Sequence, residues 1–336
     1  MKQIKYINLL LLIMFFASCE KHVVDYDTYT LTENTAEYQL HYFVPVPSAA
    51  ANNIYKVEVN DDVVTTNAAT LVTYNAIPSG GVGRFATVAP GTVNIKLYQL
   101  TNPSLPYSDA NLTKVYDQNT QLQGGKKQNI FVYDFTQPPI VFDNGYPYIS
   151  DRRPYDTDTI AYVKFYNFMF ETTDVPTTMK LQYQYQYILH PLYTLEDAQK
   201  GVIPEGKKVG DATGDTKRSA WLNIGNPLAF GETTGWQEVV VKKTSYIAQG
   251  SATIYYRIVV SAENGGVPGV TVMDSNDWVL RARTNASNVN TYNAYSYSTS
   301  LTIGRRQHHT IGGQRAGGDI PGVADPIIGI KLFTAL

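Results

Sequence analysis

The sequence predicts an all-β protein built from two consecutive antiparallel β-sandwich domains. Short segments that alternate apolar and polar residues recur along most of the chain, and turns rich in glycine, proline and asparagine separate them. The 336 residues include 26 tyrosines, 12 phenylalanines and 3 tryptophans, and aromatic residues favour strands over helices. No apolar repeat of helical period extends beyond a turn or two. These observations together indicate sheets that pack face to face.

The first domain is predicted over residues 36–136. Asn60 and the two aspartates that follow it predict a tight turn, because short polar side chains tolerate the backbone that such a turn needs. Pro90 and Gly91 predict a hairpin turn between two further strands. The strands are expected in the alternating segments EYQLHYFVPV (37–46), NIYKVEVND (53–61), GRFATVAPGTVNIKLYQL (83–100), LTKVYDQN (112–119) and KQNIFVYDF (127–135).

A change of composition separates the two predicted domains. Residues 137–159 contain 4 prolines among aspartates and arginines, which predicts a linker. The alternating pattern restarts at Ile160, so the second domain is predicted over residues 160–336. Its greater length indicates an insertion near residues 190–235.

The second domain shows the clearest local patterns of the chain. In TMKLQYQYQYIL (178–189), leucines and tyrosines alternate with glutamines, which predicts a strand with one apolar face. TLEDAQKG (194–201) is the helix candidate, with Thr194 as its N-cap and Gly201 at its end. IIGIKLF (327–333) predicts a last strand. IAYVKFYNF (160–168) and LTIGRR (301–306) echo EYQLHYFVP and LQGGKK of the first half, which indicates two divergent copies of one sandwich.

Three segments of the first half carry a resemblance to a known family: VEVND, VAPGTVNIKLY and LQGGKKQNIFVYD. They are similar to repeated β-sandwich domains of Bacteroidetes-type lipoproteins, an uncharacterised family of the domain-of-unknown-function 4397 type. The similarity covers residues 36–135 best and residues 160–336 more loosely. It implies an Ig-like sandwich in each half and a cell-envelope setting, and it brings no catalytic residues.

The N-terminus predicts an exported lipoprotein. Two lysines precede an apolar run (7–16) that is too short to span a bilayer and is typical of a secretory signal. The FASC motif that ends at Cys19 resembles the lipobox of bacterial lipoproteins, and Cys19 is the single cysteine of the chain. The resemblance implies removal of the signal peptide, residues 1–18, and lipid attachment at Cys19. A plain secretory signal with a coincidental cysteine is the alternative.

Residues 19–35 predict a short tether behind the lipid anchor. Its first part, CEKHVVDYD, places acidic residues after Cys19 and resembles the surface-export signal of Bacteroidetes-type lipoproteins. We therefore expect a lipid-anchored protein of the outer membrane at the cell surface, with the periplasmic face as the alternative. The membrane is then a partner through the lipid on Cys19. The net charge of −2 and the lack of a basic cluster argue against nucleic acid as a partner.

Motifs that would indicate catalysis are missing from the sequence, which has no G-x-S-x-G, no H-E-x-x-H and no phosphate-binding glycine loop. His308 and His309 are adjacent, and neighbours on a strand point to opposite faces, so they make a poor metal site. We expect both of them to be exposed to solvent. The acidic groups DTDT (156–159) and DSNDW (274–278) lack the spacing of a calcium loop. The sequence therefore predicts no enzyme, no metal and no cofactor.

Aromatic residues of the second domain are the candidate ligand-binding residues. Aromatic faces stack on sugar rings, and the candidates are Trp221, Trp236, Trp278, Tyr295 and Tyr297, with core packing as the alternative.

The leading hypothesis is a non-enzymatic, lipid-anchored envelope protein that binds or scaffolds, with a glycan or an envelope protein as partner. One alternative is a fimbrial subunit or fimbria-associated adhesin that assembles by strand exchange, donating residues 29–40 or 327–336. The other alternative is a glycan-binding accessory lipoprotein.

Overall fold

The structure is a computed structural model, and across the residues that it describes the fold is an all-β sandwich with one short α-helix. This confirms the fold class that the sequence predicts. The described residues are 31–44, 53–66, 85–145, 160–172, 175–189, 191–240, 251–261, 270–274, 277–283, 292–294, 296–302, 306–314 and 327–333.

The first sandwich consists of two four-stranded sheets. Its strands are β1 (Ala36–Tyr42), β2 (Lys56–Val59), β3 (Asp62–Thr66), β4 (Ala86–Val88), β5 (Gly91–Leu100), β6 (Leu112–Leu122), β7 (Lys127–Val132) and β8 (Ile140–Asp143). Sheet I has the order β4-β1-β7-β8, and sheet II has the order β3-β2-β5-β6. A single turn of 3-10 helix, Asp109–Asn111, precedes β6.

Alternation along the strands builds the core between sheets I and II. On β1, Tyr38, Leu40 and Tyr42 are buried against this core, and Val93 and Ile95 meet them from β5. Successive side chains of a strand point to opposite faces, so the residues between these belong to the other face of each sheet. Sheet II turns that other face outward, and it carries ion pairs such as Lys56–Glu58 at 2.8 Å.

Two turns of the first sandwich differ in how well the sequence predicts them. Asn60 and Asp61 have φ values of 52° and 66°, and the predicted tight turn at these residues joins β2 to β3 in a hairpin. Pro90 and Gly91 lie between β4 and β5, but these strands belong to different sheets, so the predicted hairpin is wrong. Gly91, at φ 112°, turns the chain from sheet I into sheet II.

The second sandwich begins with β9, and its two sheets are larger. Its strands are β9 (Ile160–Thr172), β10 (Val175–Pro176), β11 (Leu181–Leu189), β12 (Lys217–Arg218), β13 (Leu222–Leu228), β14 (Thr233–Val240), β15 (Ser251–Ser261), β16 (Val270–Asp274), β17 (Asp277–Arg283), β18 (Tyr292–Ala294), β19 (Ser296–Thr302), β20 (Arg306–Gln314) and β21 (Ile327–Phe333). Sheet III has the order β10-β9-β20-β21, with β14 also paired to β9. Sheet IV has the order β12-β11-β15-β17-β16, with β13 on β11, β18 on β17 and β19 on β15.

Local patterns in the second sandwich fold as the sequence predicts. Strand β11 buries Leu181, Tyr183 and Tyr185 in the core between sheets III and IV. The helix α1 (Leu195–Gln199) begins at Thr194, whose side chain accepts a hydrogen bond from the backbone N–H of Asp197 in a capping box. In the described part of the chain, no helix has the length and apolar character needed to cross a membrane.

Among the described strands, each sandwich includes a parallel pair, which differs from the predicted purely antiparallel sheets. Strand β1 runs parallel to β7, and β9 runs parallel to β20. Parallel neighbours need a crossover connection, and in both sandwiches the chain passes through the opposite sheet between the two paired strands. Strands β1 and β9 contain most of the first pair of echoing segments, and the second pair, LQGGKK and LTIGRR, ends at Lys127 and Arg306, the first residues of β7 and β20.

Part of the segment predicted as a linker, residues 137–159, is a strand of the first sandwich. Ile140–Asp143 forms β8 and pairs with β7 at the edge of sheet I. Residues 146–159 lie outside the described residues. The predicted insertion, residues 190–235, contains α1 and also β12 and β13, which extend sheet IV.

Sheets I and III pack on each other through an aromatic layer, which we call the central layer. Phe43 and Phe131 from the first sandwich pack with Tyr166 and Phe168 from β9. Phe131 lies 4.8 Å from the ring centroids of both Tyr166 and Phe168. The sheets therefore stack in the order II, I, III, IV, and both inner sheets are buried on both faces.

Candidate functional site

The structure separates the aromatic residues that the sequence predicts as ligand-binding. Cys19 and Tyr295 lie outside the described residues. Trp278 is on β17 and Tyr297 is on β19, and the register places them opposite Val260 and Tyr256 of β15. Trp236 lies in the central layer, and Trp221 lies at the edge of sheet IV. Trp221 and Trp236 thus belong to different parts of the fold.

Trp236 has a packing role between the two sandwiches. Its indole N–H donates a hydrogen bond of 2.6 Å to the backbone carbonyl of Asn144. Its ring meets the ring of His308 edge-on at 4.8 Å. The ammonium of Lys164 lies 5.9 Å from the indole ring centroid. These contacts support core packing, the alternative that the sequence left open for this residue.

The predicted exposure of His308 and His309 is wrong, because both side chains are buried. Sheet I covers the face of sheet III from which His308 projects, and sheet IV covers the opposite face. His308 Nδ1 lies 2.7 Å from the Tyr166 hydroxyl, and His309 Nδ1 lies 2.6 Å from the Tyr183 hydroxyl. Burial lowers the pKa of His309 to about 3 and the pKa of His308 well below its ordinary value. Both histidines are therefore neutral at pH 7.

The two histidines point to opposite faces of β20, as the sequence predicts for strand neighbours. Within the described ranges, no group of three histidine, cysteine, aspartate or glutamate side chains is arranged to hold a metal ion.

Lys164 is a second buried ionisable group of the central layer. Its ammonium donates a 2.6 Å hydrogen bond to the backbone carbonyl of Asp143. Burial lowers its pKa to about 8, and the nearby charge of Asp143 opposes this change. The amine lies between two sheets and is 4% exposed as a residue, so it holds the two sandwiches together rather than facing a ligand.

Trp221 occupies a β-bulge at the edge of sheet IV. Arg218 is opposite Ile188 of β11, and Leu222 is opposite Tyr185, so the edge chain has one residue more than β11 between these pairs. A bulge of this kind bends the strand and redirects a side chain. Trp221 packs over the outer face of sheet IV as a result.

Arg257 of β15 lies under the Trp221 ring. Its guanidinium carbon is 4.2 Å from the centroid of the indole, within the range of a cation–π contact. Arg257 Nε donates a 2.8 Å hydrogen bond to Gln184 Oε1, and Gln184 Nε2 donates one of 2.8 Å to Asn223 Oδ1. Arg257 is buried, whereas Trp221 is half-buried. Part of the indole surface is therefore accessible to solvent.

Arg218 and Tyr255 form a second cation–π pair beside the first. The guanidinium carbon of Arg218 lies 3.5 Å from the Tyr255 ring centroid. Tyr255 and Arg257 are two residues apart on β15 and share its outer face, so their Cα atoms are about 7 Å apart. Trp221, Arg257, Gln184, Tyr255 and Arg218 together form a surface that we call the Trp221 platform.

The strands that carry the Trp221 platform contain no acidic residue. Strands β11, β12, β13, β15 and β19 have no aspartate or glutamate, and they contribute Lys217, Arg218 and Arg257. The whole chain has a net charge of −2, so this region departs from the average composition. Exposed Ser298 and Ser300 of β19 add hydroxyl groups beside Tyr255, because Ser298 is opposite Tyr255 in the register.

Sequence reasoning singled out Trp221 but missed its partners. The alternation of Gln182, Gln184 and Gln186 opposite the tyrosines of β11 shows a polar face in the sequence. It does not show that Arg257 lies opposite Gln184, because that pairing depends on a register between segments 73 residues apart.

Comparisons with known proteins leave the family open. No protein-family model matches the sequence, and no curated protein matches it. A "putative cell adhesion protein" from Bacteroides fragilis matches with a TM-score of 0.24 and 10% identity, over 89% of this chain and 98% of that chain. Another protein of that description, from Bacteroides ovatus, matches with a TM-score of 0.19 and 10% identity, over 90% of this chain and 98% of that chain.

A leucine-rich repeat protein from Bacteroides thetaiotaomicron matches with a TM-score of 0.18 and 11% identity, over 84% of this chain but 26% of that chain. Scores and identities this low carry no argument about function. The resemblance to the domain-of-unknown-function 4397 type stays a prediction.

Proposed function

We propose that the chain is a non-enzymatic, lipid-anchored protein of the cell envelope that binds a glycan on the Trp221 platform. The observation that carries this proposal is the Trp221 ring, supported from below by Arg257 and turned toward solvent at a sheet edge. An aromatic ring held in this way offers a flat apolar face to the C–H side of a sugar ring. The platform thus has the form of an open saccharide subsite.

The surroundings of Trp221 supply the polar groups that a sugar needs. Asn223 is exposed next to it, and Ser298 and Ser300 are exposed on β19. Ligand sites combine an apolar surface with a few placed polar groups that set orientation. Arg257 and Gln184 fix the indole before a ligand arrives, so little conformational entropy is lost on binding.

The proposed location follows from the N-terminal motif and is tested on whole cells. Cys19 would carry the lipid, and residues 19–35 would separate the sandwiches from the membrane. Protease added to intact cells is expected to degrade the wild-type protein, as followed by blotting for its C-terminal half. The Cys19→Ala variant tests the anchor, because its protein is expected in the soluble fraction. Protection of the wild type until the outer membrane is opened would contradict surface exposure.

Affinity gel electrophoresis of the full chain tests the glycan proposal. A panel of neutral and acidic polysaccharides is cast into native gels, and the mobility of the wild type is compared with that of Trp221→Ala. Retardation by at least one polysaccharide is expected, and Trp221→Ala is expected to lose it. The control Leu195→Ala removes an apolar side chain that is 66% exposed on α1 and should behave as the wild type. A wild type that no polysaccharide retards would overturn the proposal.

One observation favours strand exchange as a second candidate function. A cleft of about 410 Å³ opens between the edge strands β3 and β4 of the first sandwich and is lined by Tyr38, Val59, Val64 and Phe85. An extended segment could add to a sheet edge there.

The two predicted donor segments differ in position. Strand β1 lies inside sheet I between β4 and β7, whereas β21 lies at an edge of sheet III. The C-terminal segment is therefore the better donor. A ladder of polymers on unboiled gels that disappears when residues 327–336 are deleted would support this function. A strict monomer in detergent would contradict it.

A further inference from the structure

We propose that the Trp221 platform selects saccharides that carry carboxylate groups, such as uronic acids. This inference rests on the proposed glycan binding and names the class of glycan. The observation that supports it is the stacking order of ring and guanidinium in the two cation–π pairs on the outer face of sheet IV.

The two cation–π pairs of the platform are stacked in opposite order, so one has its aromatic ring on the outside and the other has its guanidinium on the outside. In the first pair, the indole of Trp221 covers the buried guanidinium of Arg257. In the second pair, the guanidinium of the exposed Arg218 lies on the half-buried ring of Tyr255. The platform thus shows an aromatic face and a cation next to each other. A sugar ring stacked on Trp221 would bring its substituents to Arg218.

Arg218 is held in a way that suits a carboxylate. Stacking on Tyr255 fixes the plane of the guanidinium and leaves its N–H donors around the rim of that plane. A carboxylate can accept two parallel hydrogen bonds from such a rim. None of the ion pairs among the described residues involves Arg218.

The charges around the platform favour an anion. Strands β11, β12 and β15, which carry platform residues, and their neighbours β13 and β19 contain basic residues and no acidic ones. In the described strands of sheet IV, acidic residues occur beyond the far end of this region, where the register pairs Asp277 with Ser261, four residues beyond Arg257 or about 14 Å along β15. Asp215 is near Arg218 in sequence and lies in the exposed loop before β12. At physiological salt a charge 14 Å away is largely screened.

The test compares charged and neutral forms of the same polysaccharide. The detergent-solubilised full chain is run in native gels containing polygalacturonate, its methyl ester, dextran sulfate or dextran. The variants are Arg218→Gln, Trp221→Ala and the control Lys114→Gln, which removes the same charge from the outer face of the first sandwich. Because Arg218 is exposed, Arg218→Gln should keep the thermal unfolding midpoint of the wild type.

Stronger retardation by polygalacturonate than by its methyl ester is expected, by about two- to fivefold in apparent affinity. Arg218→Gln should lose this preference while it keeps weak binding to the ester, and Lys114→Gln should keep the preference. Equal binding of both forms by the wild type, or an unchanged preference in Arg218→Gln, would overturn the inference and leave glycan binding standing. Equal retardation by dextran sulfate would overturn carboxylate selection. No retardation by any polymer would overturn the proposed function itself.

Discussion

Replacing Phe131 by alanine tests whether the two sandwiches unfold as one body. Phe131 is fully buried on β7, with the ring of His41 stacked at 4.3 Å between centroids. On its other sides it meets Tyr166 and Phe168, both at 4.8 Å, and Phe142 edge-on at 5.6 Å. Among the described side chains of the central layer, Phe131 and Phe168 both contact rings from the two sandwiches, so removal of Phe131 should weaken the whole contact.

The expected loss in the free energy of unfolding is about 4 kcal/mol. Burial and cavity costs for a phenylalanine-to-alanine change amount to about 3–5 kcal/mol. Aromatic pairs contribute about 0.5–1.5 kcal/mol each beyond their area, which places Phe131 in the upper part of that range. With a urea dependence of about 3 kcal/mol per molar, the midpoint should fall by more than about 1 M.

Tryptophan fluorescence in urea is a suitable assay because Trp221, Trp236 and Trp278 all lie in the second sandwich, whereas Phe131 lies in the first. A lower midpoint in the tryptophan signal therefore means that the damage crosses the central layer. The control Val63→Ala, at a valine that is 52% exposed on β3, should leave the midpoint unchanged. An unchanged tryptophan midpoint in Phe131→Ala would refute the idea that the sandwiches are energetically coupled.

Three further changes probe other parts of the structure. Burial lowers the Lys164 pKa from 10.5 to about 8, so the unfolded chain binds more protons between these values and stability should rise with pH above 8. Urea unfolding at pH 7.5 and 9.5 should show this rise in the wild type and not in Lys164→Met. The pKa of His309 falls from 6.5 to about 3, so His309 should cost about 2 kcal/mol of stability between pH 7 and 5. In the same assay His309→Gln should remove this part of the acid loss and leave the part that His308 contributes. A Cβ at Gly124 would overlap the carbonyl oxygen of Glu33, so Gly124→Ala should lower stability by about 1–3 kcal/mol in thermal unfolding.

Matched controls decide each of these outcomes. Lys200→Met removes an exposed lysine at the C-cap of α1 and should keep the rise in stability above pH 8. If Lys164→Met keeps that rise as well, Lys164 is not the group that titrates. An acid loss in His309→Gln equal to that of the wild type would mean that His309 takes up its proton in the folded state. A Gly124→Ala protein as stable as the wild type would show that the segment around Glu33 moves aside at no cost.

Features that depend on neighbouring residues could be predicted from the sequence. The alternation in β11, the Thr194 cap of α1 and the hairpin turn at Asn60 all follow from interactions within a few residues. The all-β class follows from the same local patterns repeated along the chain.

Features that depend on the packing of sheets could not be predicted. His308 and His309 have a polar sequence environment typical of an exposed strand, and they are buried because sheets I and IV cover both faces of sheet III. Pro90-Gly91 has the composition of a hairpin turn, but the chain after β4 crosses from sheet I to sheet II. The sequence contains no signal for the choice between these paths.

The Trp221 platform could be predicted from the sequence only in part. The sequence predicts Trp221 as a candidate because aromatic faces stack on sugar rings. Its support by Arg257 and its position beside Arg218 result from the register of β11 with β15 and from a bulge in the edge chain. Only the assembled sheet shows that one aromatic face and one cation are presented together.

Hydrogen exchange of the full chain with and without a retarding polysaccharide tests the central claim most directly. If the glycan binds on the Trp221 platform, amides of residues 217–224 and of β15 near Tyr255 should exchange more slowly in the complex, and Trp221→Ala should remove this protection. Protection confined to another region, such as the cleft between β3 and β4, would contradict the account.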